Sequence, residues 1–185
     1  MDIHNEYLWA TPTWTSKLDN IDNKELSEWI LEYKKNSNSS EKSNKGGWQY
    51  LIDSQNPICK NLMDSIMEML REVKLKPGKK NIRCVMWANV NGKGDWNMMH
   101  NHMPEDISGI YYVKVPDDSH GTLVLKDPRG VYISPHLDQN PNHLYIEPQE
   151  NVLFMFPSFV DHIVFPNKSN EDRISIAFNI TIEDG

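Results

Sequence analysis

The segment RISIAFNI, residues 173–180, alternates polar or small side chains with large apolar ones. Because successive side chains of a β-strand point to opposite faces, this alternation predicts a strand with one apolar face. The apolar face carries Ile174, Ile176, Phe178 and Ile180, and the opposite face carries Arg173, Ser175, Ala177 and Asn179. The segment therefore predicts a strand whose two faces meet different surroundings.

Six further runs of strand-forming residues precede this segment. They are IRCVMWANV (82–90), ISGIYYVKV (107–115), GTLVLKD (121–127), HLYIEP (143–148), NVLFMFP (151–157) and HIVFP (162–166). Gly, Pro, Asn and Asp separate them, which is typical of an antiparallel sandwich or barrel rather than of alternating strands and helices. Residues 81–185 are therefore expected to be mainly β, as a double-sheet jelly roll or a related barrel.

The N-terminal part of the chain carries two helical patterns. IDNKELSEWILEYKK (21–35) has Asp22 three residues before Glu25, which is a helix-start signal, followed by apolar residues at helical spacing. NPICKNLMDSIMEMLREVKLKPG (56–78) places Pro57 where a first helical turn tolerates it, and its apolar stripe consists of Ile58, Leu62, Ile66, Met69, Leu70 and Val73. We expect two helices that pack against the β core.

The segment NSNSSEKSNKGG, residues 36–47, has no apolar side chain to bury and is expected to be a polar loop or a mobile segment. A chain of 185 residues suits one domain with a real core. The expected organisation is a single domain over residues 1–185, with residues 1–80 as a helical buttress and 81–185 as the jelly-roll core.

Composition restricts the location and the partners. A formal charge of −7 argues against a general nucleic-acid or anionic-membrane binder. Two cysteines, Cys59 and Cys84, are too few for a disulfide framework. The N-terminal segment MDIHNEYLWATPTW (1–14) is acidic and polar, unlike a signal peptide, and no apolar run approaches the ~20 residues needed to span a bilayer. These features favour a soluble cytoplasmic protein.

Three histidines are candidates for a metal site. His100 and His102 in WNMMHNH are separated by one residue, so a strand would aim both imidazoles at one cavity, where they can bind a metal. His162 in FPSFVDHIVFPN begins a short apolar run and can supply a third ligand from a distant strand. Each signal alone is weak, because surface, loop or turn histidines are the more common explanation.

Arg173 is a candidate for anion binding. An arginine on the inward face of a strand needs an anion, and its guanidinium with the Ser175 hydroxyl suits a carboxylate. The alternative is an edge strand whose polar face is exposed to water. The alternation alone does not separate these two interpretations.

Taken together, these features resemble a known family. The chain resembles the Fe(II)- and 2-oxoglutarate-dependent oxygenases, most closely a group of bacterial and viral members of unassigned substrate. The residues that carry the resemblance are WANVNGKGDWNMMHNH (87–102), ISGIYYVKVP (107–116), LKDPRG (125–130), LFMFPSFVDHIVFPN (153–167) and EDRISIAFN (171–179). They run from Trp87 to Asn179 in the expected order, whereas the first 80 residues match only loosely.

The resemblance implies a fold, cofactors and site residues. The fold would be a double-stranded β-helix with buttressing helices, and the cofactors would be Fe(II), 2-oxoglutarate and O2. His100 would be the first iron ligand and His162 the distal one, while Arg173 with Ser175 would bind the far carboxylate of 2-oxoglutarate. The reaction would release succinate and CO2 and, by default, hydroxylate the primary substrate. A homodimer and, for a viral protein, the host cytoplasm are compatible with this assignment.

The sequence departs from the superfamily at one ligand. Where the superfamily has a carboxylate two residues after the first histidine, this chain has His102. The third ligand is therefore His102, or else Glu105 or Asp106 from the same loop. We favour His102, because its position is the geometric equivalent and the resembling subgroup has the same H-x-H.

Several other residues on predicted strands are possible cavity-lining residues, although core packing is the commoner role. They are Trp87, Asn89, Asn91, Tyr112 and Asn179. The Pro- and Asn-rich connection 127–148 is long enough to act as a lid over a substrate. Its histidines, His136 and His143, are expected to be exposed rather than metal ligands.

Two other classes of protein remain compatible with the pattern. A cupin-like metalloprotein with three histidines would share the jelly roll and the H-x-H without using 2-oxoglutarate, and would not require Arg173. A binding module that lost catalysis would explain the missing carboxylate. No aromatic cage, basic groove or peptide motif identifies a primary substrate.

Overall fold

The computed structural model describes residues 10–119, 121–129 and 142–185. Its helices are α1 (Asn23–Asn36) and α2 (Lys60–Leu70), the latter preceded by a 3₁₀ turn at Pro57–Cys59. Its strands are β1 (Trp14–Lys17), β2 (Asn44–Lys45), β3 (Trp48–Ile52), β4 (Lys80–Asn91), β5 (Trp96–His100), β6 (Ile107–Lys114), β7 (Leu123–Lys126), β8 (His143–Ile146), β9 (Val152–Pro157), β10 (His162–Val164) and β11 (Arg173–Asp184). All seven runs predicted as strands contain one.

The strands form two antiparallel sheets. The larger sheet has the order β1-β9-β6-β11-β4-β3, and the smaller has the order β2-β5-β10-β7-β8. Side chains from both sheets line one cavity between them. Two facing sheets with this interleaved strand order confirm the jelly-roll prediction.

Strand β11 lies in the middle of the larger sheet. It pairs with β4 along its whole length and with β6 on its other side. The apolar side chains predicted for one face, from Ile174 to Ile180, are all buried in the main core. The strand is not an edge strand, so a wet edge is excluded as the explanation for the face that carries Arg173.

The two helices cover the apolar face of the larger sheet. Asp22 caps α1 by accepting a hydrogen bond of 3.0 Å from the Glu25 backbone N–H, as predicted. The residues that the helices bury against the sheet are Leu26, Ile30, Leu62, Ile66 and Leu70. Helix α2 ends at Leu70, so Val73, predicted on its stripe, packs against the core from the segment that follows.

The N-terminal 80 residues, expected to be helical, also contribute strands. β1 and β3 lie at the two edges of the larger sheet, and β2 lies at the edge of the smaller one. The segment 36–47, expected to be a polar loop, contains β2, and the Met98 backbone N–H donates to the Ser43 carbonyl at 2.9 Å. This segment is ordered by backbone hydrogen bonds to β5, at the edge of the smaller sheet, and not by the burial of apolar side chains of its own.

Part of the long connection 127–148 lies outside the described residues, including His136, so its role as a lid stays a prediction. The described end of the connection forms β8, which pairs with β7. Within the described ranges, no helix is long and apolar enough to cross a membrane.

Candidate active site

Three histidines lie together at one end of the cavity. His100 is the last residue of β5, and His162 is the first residue of the neighbouring β10. The two are direct partners across the antiparallel pair, and their ring centroids are 4.2 Å apart. The His102 ring lies 4.9 Å from that of His100 and 5.0 Å from that of His162. The strand pairing therefore gathers residues that are 62 positions apart in the sequence.

The ligand atoms of these histidines suit one metal ion. One nitrogen from each ring lies within 4.8 Å of the others. Two metal–imidazole bonds of about 2.1 Å span at most ~4.2 Å, so small ring movements bring all three nitrogens onto one ion. Neutral imidazoles are ligands for iron and neighbouring transition metals. The donor set therefore fits Fe(II).

Backbone carbonyls orient two of the rings. His100 Nδ1 lies 2.6 Å from the Met98 carbonyl oxygen, and His162 Nδ1 lies 3.0 Å from that of Val160. A carbonyl only accepts, so each Nδ1 carries the proton and donates it. The Nε2 lone pair of both rings is thereby free for a metal, which is the usual tautomer of a metal-binding histidine with a backbone partner.

His102 reaches the same place by a different route from the one predicted. Strand β5 ends at His100, so His102 lies two residues beyond it rather than on the same strand face. Its backbone N–H donates to the Ser158 carbonyl at 2.9 Å, and its ring lies 5.6 Å from that of Trp87. The bond to Ser158 turns the chain inward, so the ring still enters the cavity.

Burial keeps the histidines neutral. Desolvation lowers the pKa of His102 to about 4, with a further contribution from His100. Desolvation also lowers the pKa of His162 to about 3, and it lowers that of His100 below its usual range. Metal ligation requires the unprotonated imidazole, so the ligand set is ready at neutral pH.

The two carboxylates considered as alternative ligands turn away from the histidines. The Glu105 carboxylate accepts a hydrogen bond from the Thr181 hydroxyl and lies 3.5 Å from Arg83 Nη2. Asp106 Oδ2 accepts a hydrogen bond of 2.7 Å from the Ile182 backbone N–H. Both carboxylates are thus held by the end of β11 or by its neighbour β4, and the metal-type cluster in the described residues contains only the histidines.

Arg173 lies in the same cavity, on the larger sheet. It is 2% exposed, and no carboxylate forms an ion pair with it among the described residues. Its Nη1 donates to the Gly121 carbonyl, its Nη2 donates to Asn91 Oδ1 at 3.2 Å, and its Nε has no partner. Burial lowers the pKa of Arg173 below its usual range. A buried cation of this kind needs an anion.

Gly121 allows Arg173 to take this position. A Cβ atom on Gly121 would lie 1.5 Å from Arg173 Nη1, which no rotamer adjustment at residue 121 relieves, because Cβ is fixed by the backbone. Residue 121 must therefore be glycine for the guanidinium to lie against its carbonyl. No local pattern in the sequence marks Gly121 as a site residue, since its partner is 52 positions away.

The cavity has a volume of about 730 Å³ and includes most of the predicted residues in its wall. Trp87, Asn89, Asn91 and Ser175 line it, together with Arg173. Tyr112 and Asn179 lie just behind the wall. The Tyr112 hydroxyl is buried without a partner, and burial raises its pKa to about 12. Asn179 contacts His102.

One wall of the cavity was not predicted. Ser40, Lys42 and Ser43, from the segment expected to be a polar loop, line it beside the histidines. Asn97 Nδ2 donates to Ser43 Oγ at 3.1 Å, which fixes this wall to β5. His143, by contrast, begins β8 and does not line the cavity.

The geometry defines a class: a jelly roll with a candidate metal site and, in the same cavity, a buried arginine that has no carboxylate partner among the described residues. Residues 85–179, more than half of the chain, match the model of the family described as "Putative 2OG-Fe(II) oxygenase". The chain belongs to this family of Fe(II)- and 2-oxoglutarate-dependent oxygenases, whose cofactors are Fe(II), 2-oxoglutarate and O2. No curated protein sequence matches the chain.

Solved structures share the fold. A prolyl-4-hydroxylase from Pseudomonas putida is 16% identical, with a TM-score of 0.68 and coverage of 94% of each chain. A prolyl hydroxylase from Trichoplax adhaerens is 17% identical, with a TM-score of 0.65 and coverage of 90% of this chain and 83% of that one. HygX from Streptomyces hygroscopicus, with nickel and 2-oxoglutarate, is 11% identical, with a TM-score of 0.66 and coverage of 92% and 83%. At these identities the likeness concerns the fold.

Proposed function

We propose that His100, His102 and His162 hold Fe(II), and that Arg173 with Ser175 binds the far carboxylate of 2-oxoglutarate. The observation that carries this assignment is the buried guanidinium of Arg173, which faces the histidine cavity without a carboxylate of its own. An arginine fork binds a carboxylate through two parallel hydrogen bonds. Only two of the five N–H groups of Arg173 have partners among the described residues, so the unpartnered Nε is among the donors that remain available for the carboxylate.

The charges of the two groups complement each other. Three neutral imidazoles add no charge, so a bound divalent cation would keep its full +2 charge. One carboxylate of the dianionic cosubstrate would reduce that charge to +1 at the metal end, and the other carboxylate would meet Arg173. The Tyr112 hydroxyl is also buried and unpartnered near Arg173, but it lies behind the cavity wall, so the Ser175 hydroxyl is the second donor for the same carboxylate. Bound iron would couple the decarboxylation of 2-oxoglutarate to oxidation of the primary substrate.

The other wall residues shield the site from water. Trp87, Ile110 and Phe156 line the cavity between the histidines and the core, and the Phe156 ring lies edge-on to that of His162 at 5.0 Å. Apolar walls strengthen the electrostatic contacts inside and limit side reactions with water. Phe156 packs against the His162 ring and Trp87 against the His102 ring, and neither competes for the metal.

The proposed reaction is a hydroxylation, carried out by one domain. Strands of the N-terminal part enter both sheets, and Ser40, Lys42 and Ser43 line the cavity, which supports a single catalytic unit over residues 1–185. The free thiols of Cys59 and Cys84 support a reducing compartment such as the cytoplasm. The solved neighbours include one complex with a hypoxia-inducible-factor peptide and one with hygromycin B, so the shared fold does not select a substrate.

The test is an anaerobic titration of the purified protein with Fe(II), followed by 2-oxoglutarate. We expect stoichiometric iron binding and then a weak visible charge-transfer band when the keto acid chelates the iron. The band should saturate at one equivalent of 2-oxoglutarate, and succinate should form when air is admitted.

The other outcomes separate the alternatives. Iron binding without the band, and without succinate, would contradict the assignment of Arg173 and favour a cupin-like metalloprotein. Absence of iron binding would favour a binding module without catalysis. Succinate formation without any added primary substrate would show that the cosubstrate site is functional on its own.

A further inference from the structure

A short hydrogen-bonded chain runs from the core to His102. Ser158 Oγ lies 2.7 Å from Ser108 Oγ, and Ser108 Oγ lies 2.8 Å from Asn179 Oδ1. Asn179 Nδ2 in turn lies 3.4 Å from His102 Nδ1. Ser158 and Ser108 are 0% and 2% exposed. His102 is thus held twice by Ser158, through its backbone and, indirectly, through its ring.

The partner of His102 differs in kind from the partners of the other two rings. His100 and His162 face backbone carbonyls, which only accept hydrogen bonds and therefore fix the proton on Nδ1. Asn179 has a carboxamide, which can present either an N–H donor or a carbonyl acceptor. When the amide nitrogen of Asn179 faces His102, it donates to Nδ1, so the proton of the neutral imidazole lies on Nε2. A proton on Nε2 prevents this atom from binding a metal.

Rotating the Asn179 carboxamide by half a turn exchanges its oxygen and nitrogen and so moves the His102 proton to Nδ1. No other atom has to move appreciably, because the two ends of the carboxamide have nearly the same size. Oδ1 of Asn179 then accepts from His102 Nδ1–H, and Nδ2 donates to Ser108 Oγ. The Ser108 hydroxyl remains satisfied, since it can donate to Ser158 Oγ in this arrangement. Both orientations therefore keep every buried group in the chain hydrogen-bonded.

We propose that Asn179 is the positioning residue of the third metal ligand: its carboxamide oxygen accepts the Nδ1 proton of His102 and so makes Nε2 a ligand for a divalent metal. This inference rests on the proposed metal site. It explains how a chain that lacks the usual carboxylate prepares a histidine in its place. In this arrangement all three rings carry their protons on Nδ1 and direct Nε2 inward.

The experiment compares anaerobic Fe(II) affinity among the parent protein, Asn179→Leu and Asn179→Asp. The leucine side chain has nearly the same shape but no acceptor, so iron should bind about 10- to 100-fold more weakly. The aspartate accepts from His102 Nδ1–H and from the Ser108 hydroxyl at once, so its iron affinity should equal or exceed that of the parent. Thr181→Val, on the same strand but bonded to Glu105, is the matched control and should bind iron as the parent does.

A second measurement reports the proton position directly. In protein labelled with ¹⁵N at histidine, Asn179→Asp without metal should show His102 as the Nδ1–H tautomer, and the Zn(II)-loaded parent should show the same tautomer. Parent-like iron affinity of Asn179→Leu, or equal weakening by Asn179→Asp and Asn179→Leu, would overturn the role of Asn179. Failure of the parent itself to bind iron would instead refute the proposed metal site.

Discussion

The two ends of the cavity are prepared in opposite ways. At one end, burial removes charge: His100, His102 and His162 are neutral and present lone pairs. At the other end, Arg173 carries a positive charge that burial makes energetically costly. Its side chain is 2% exposed and has no carboxylate partner among the described residues. The neutral end suits a cation and the charged end suits an anion. The difference implies that metal binding and anion binding depend on different residues, so that mutation can remove one without the other.

The largest effect is expected at the neutral end. His100→Ala and His162→Ala should each abolish stoichiometric Fe(II) binding at micromolar protein, because each removes one of three bonds to the metal. Metal content after anaerobic loading and desalting is the measurement. Full occupancy in either variant would show that the missing histidine is not a ligand, and unfolding curves should confirm that the variants remain folded.

A comparison within the same loop sharpens the assignment of the third ligand. His102→Ala should lower iron affinity far more than Glu105→Ala or Asp106→Ala, since both carboxylates are bound to the end of β11 or to Arg83. The reverse order of effects, in which a carboxylate variant loses iron and His102→Ala keeps it, would give a site with two histidines and one carboxylate. Iron titrations of the three variants decide between these results.

At the charged end, Arg173→Ala should weaken 2-oxoglutarate binding by at least tenfold. Breaking a buried pair of hydrogen-bonded charges costs ~2–5 kcal/mol, because the remaining carboxylate is left desolvated. Iron affinity should barely change, because Arg173 does not belong to the metal cluster. The charge-transfer band, titrated with 2-oxoglutarate, measures the change, and an unchanged affinity would remove Arg173 from the site.

The sequence predicted the residues at both ends but not the contacts that hold them. Alternation along β11 was sufficient to place Arg173 on the opposite face from Ile174, because a strand has a fixed period of two. The short strands β1 and β2 have no such pattern, and they form because the edges of the two sheets offer unpaired hydrogen-bonding groups. The turn that carries Glu105 away from the histidines depends on Thr181, which is 76 positions distant. Local patterns carry no information about such pairs.

Substitution of Gly121 offers a finer test of the charged end, since Gly121→Ala changes the position of Arg173 rather than its charge. The Cβ of Gly121→Ala would overlap Nη1, so the guanidinium must move away from the Gly121 carbonyl. A hydrogen bond from a charged group contributes ~1.5–3 kcal/mol, so losing the one between Arg173 and the Gly121 carbonyl should lower 2-oxoglutarate affinity about 10- to 100-fold. The same band titration measures it, with iron affinity as the internal control. A variant with parent-like affinity would show that the fork binds from more than one position.

The smallest effect concerns the stability of the metal-free protein. The pKa of His102 is lowered to about 4 and that of His162 to about 3, both by desolvation, whereas an unfolded chain titrates these groups near ~6.5. Between these values the unfolded state binds more protons, so the free energy of unfolding rises with pH. The contribution is complete above ~6.5 and is lost as the pH falls toward the folded pKa values, with about 1–2 kcal/mol per histidine gone at pH 5. Denaturant unfolding of the chelator-treated protein at pH 7 and pH 5 measures the total loss, and the carboxylates contribute to it as well.

His162→Gln removes one buried imidazole without adding a charge, so its stability should change less between the two pH values than that of the parent. Equal changes in both proteins would mean that His162 is protonated in the folded state at pH 5, and that the neutral end of the cavity tolerates a positive charge.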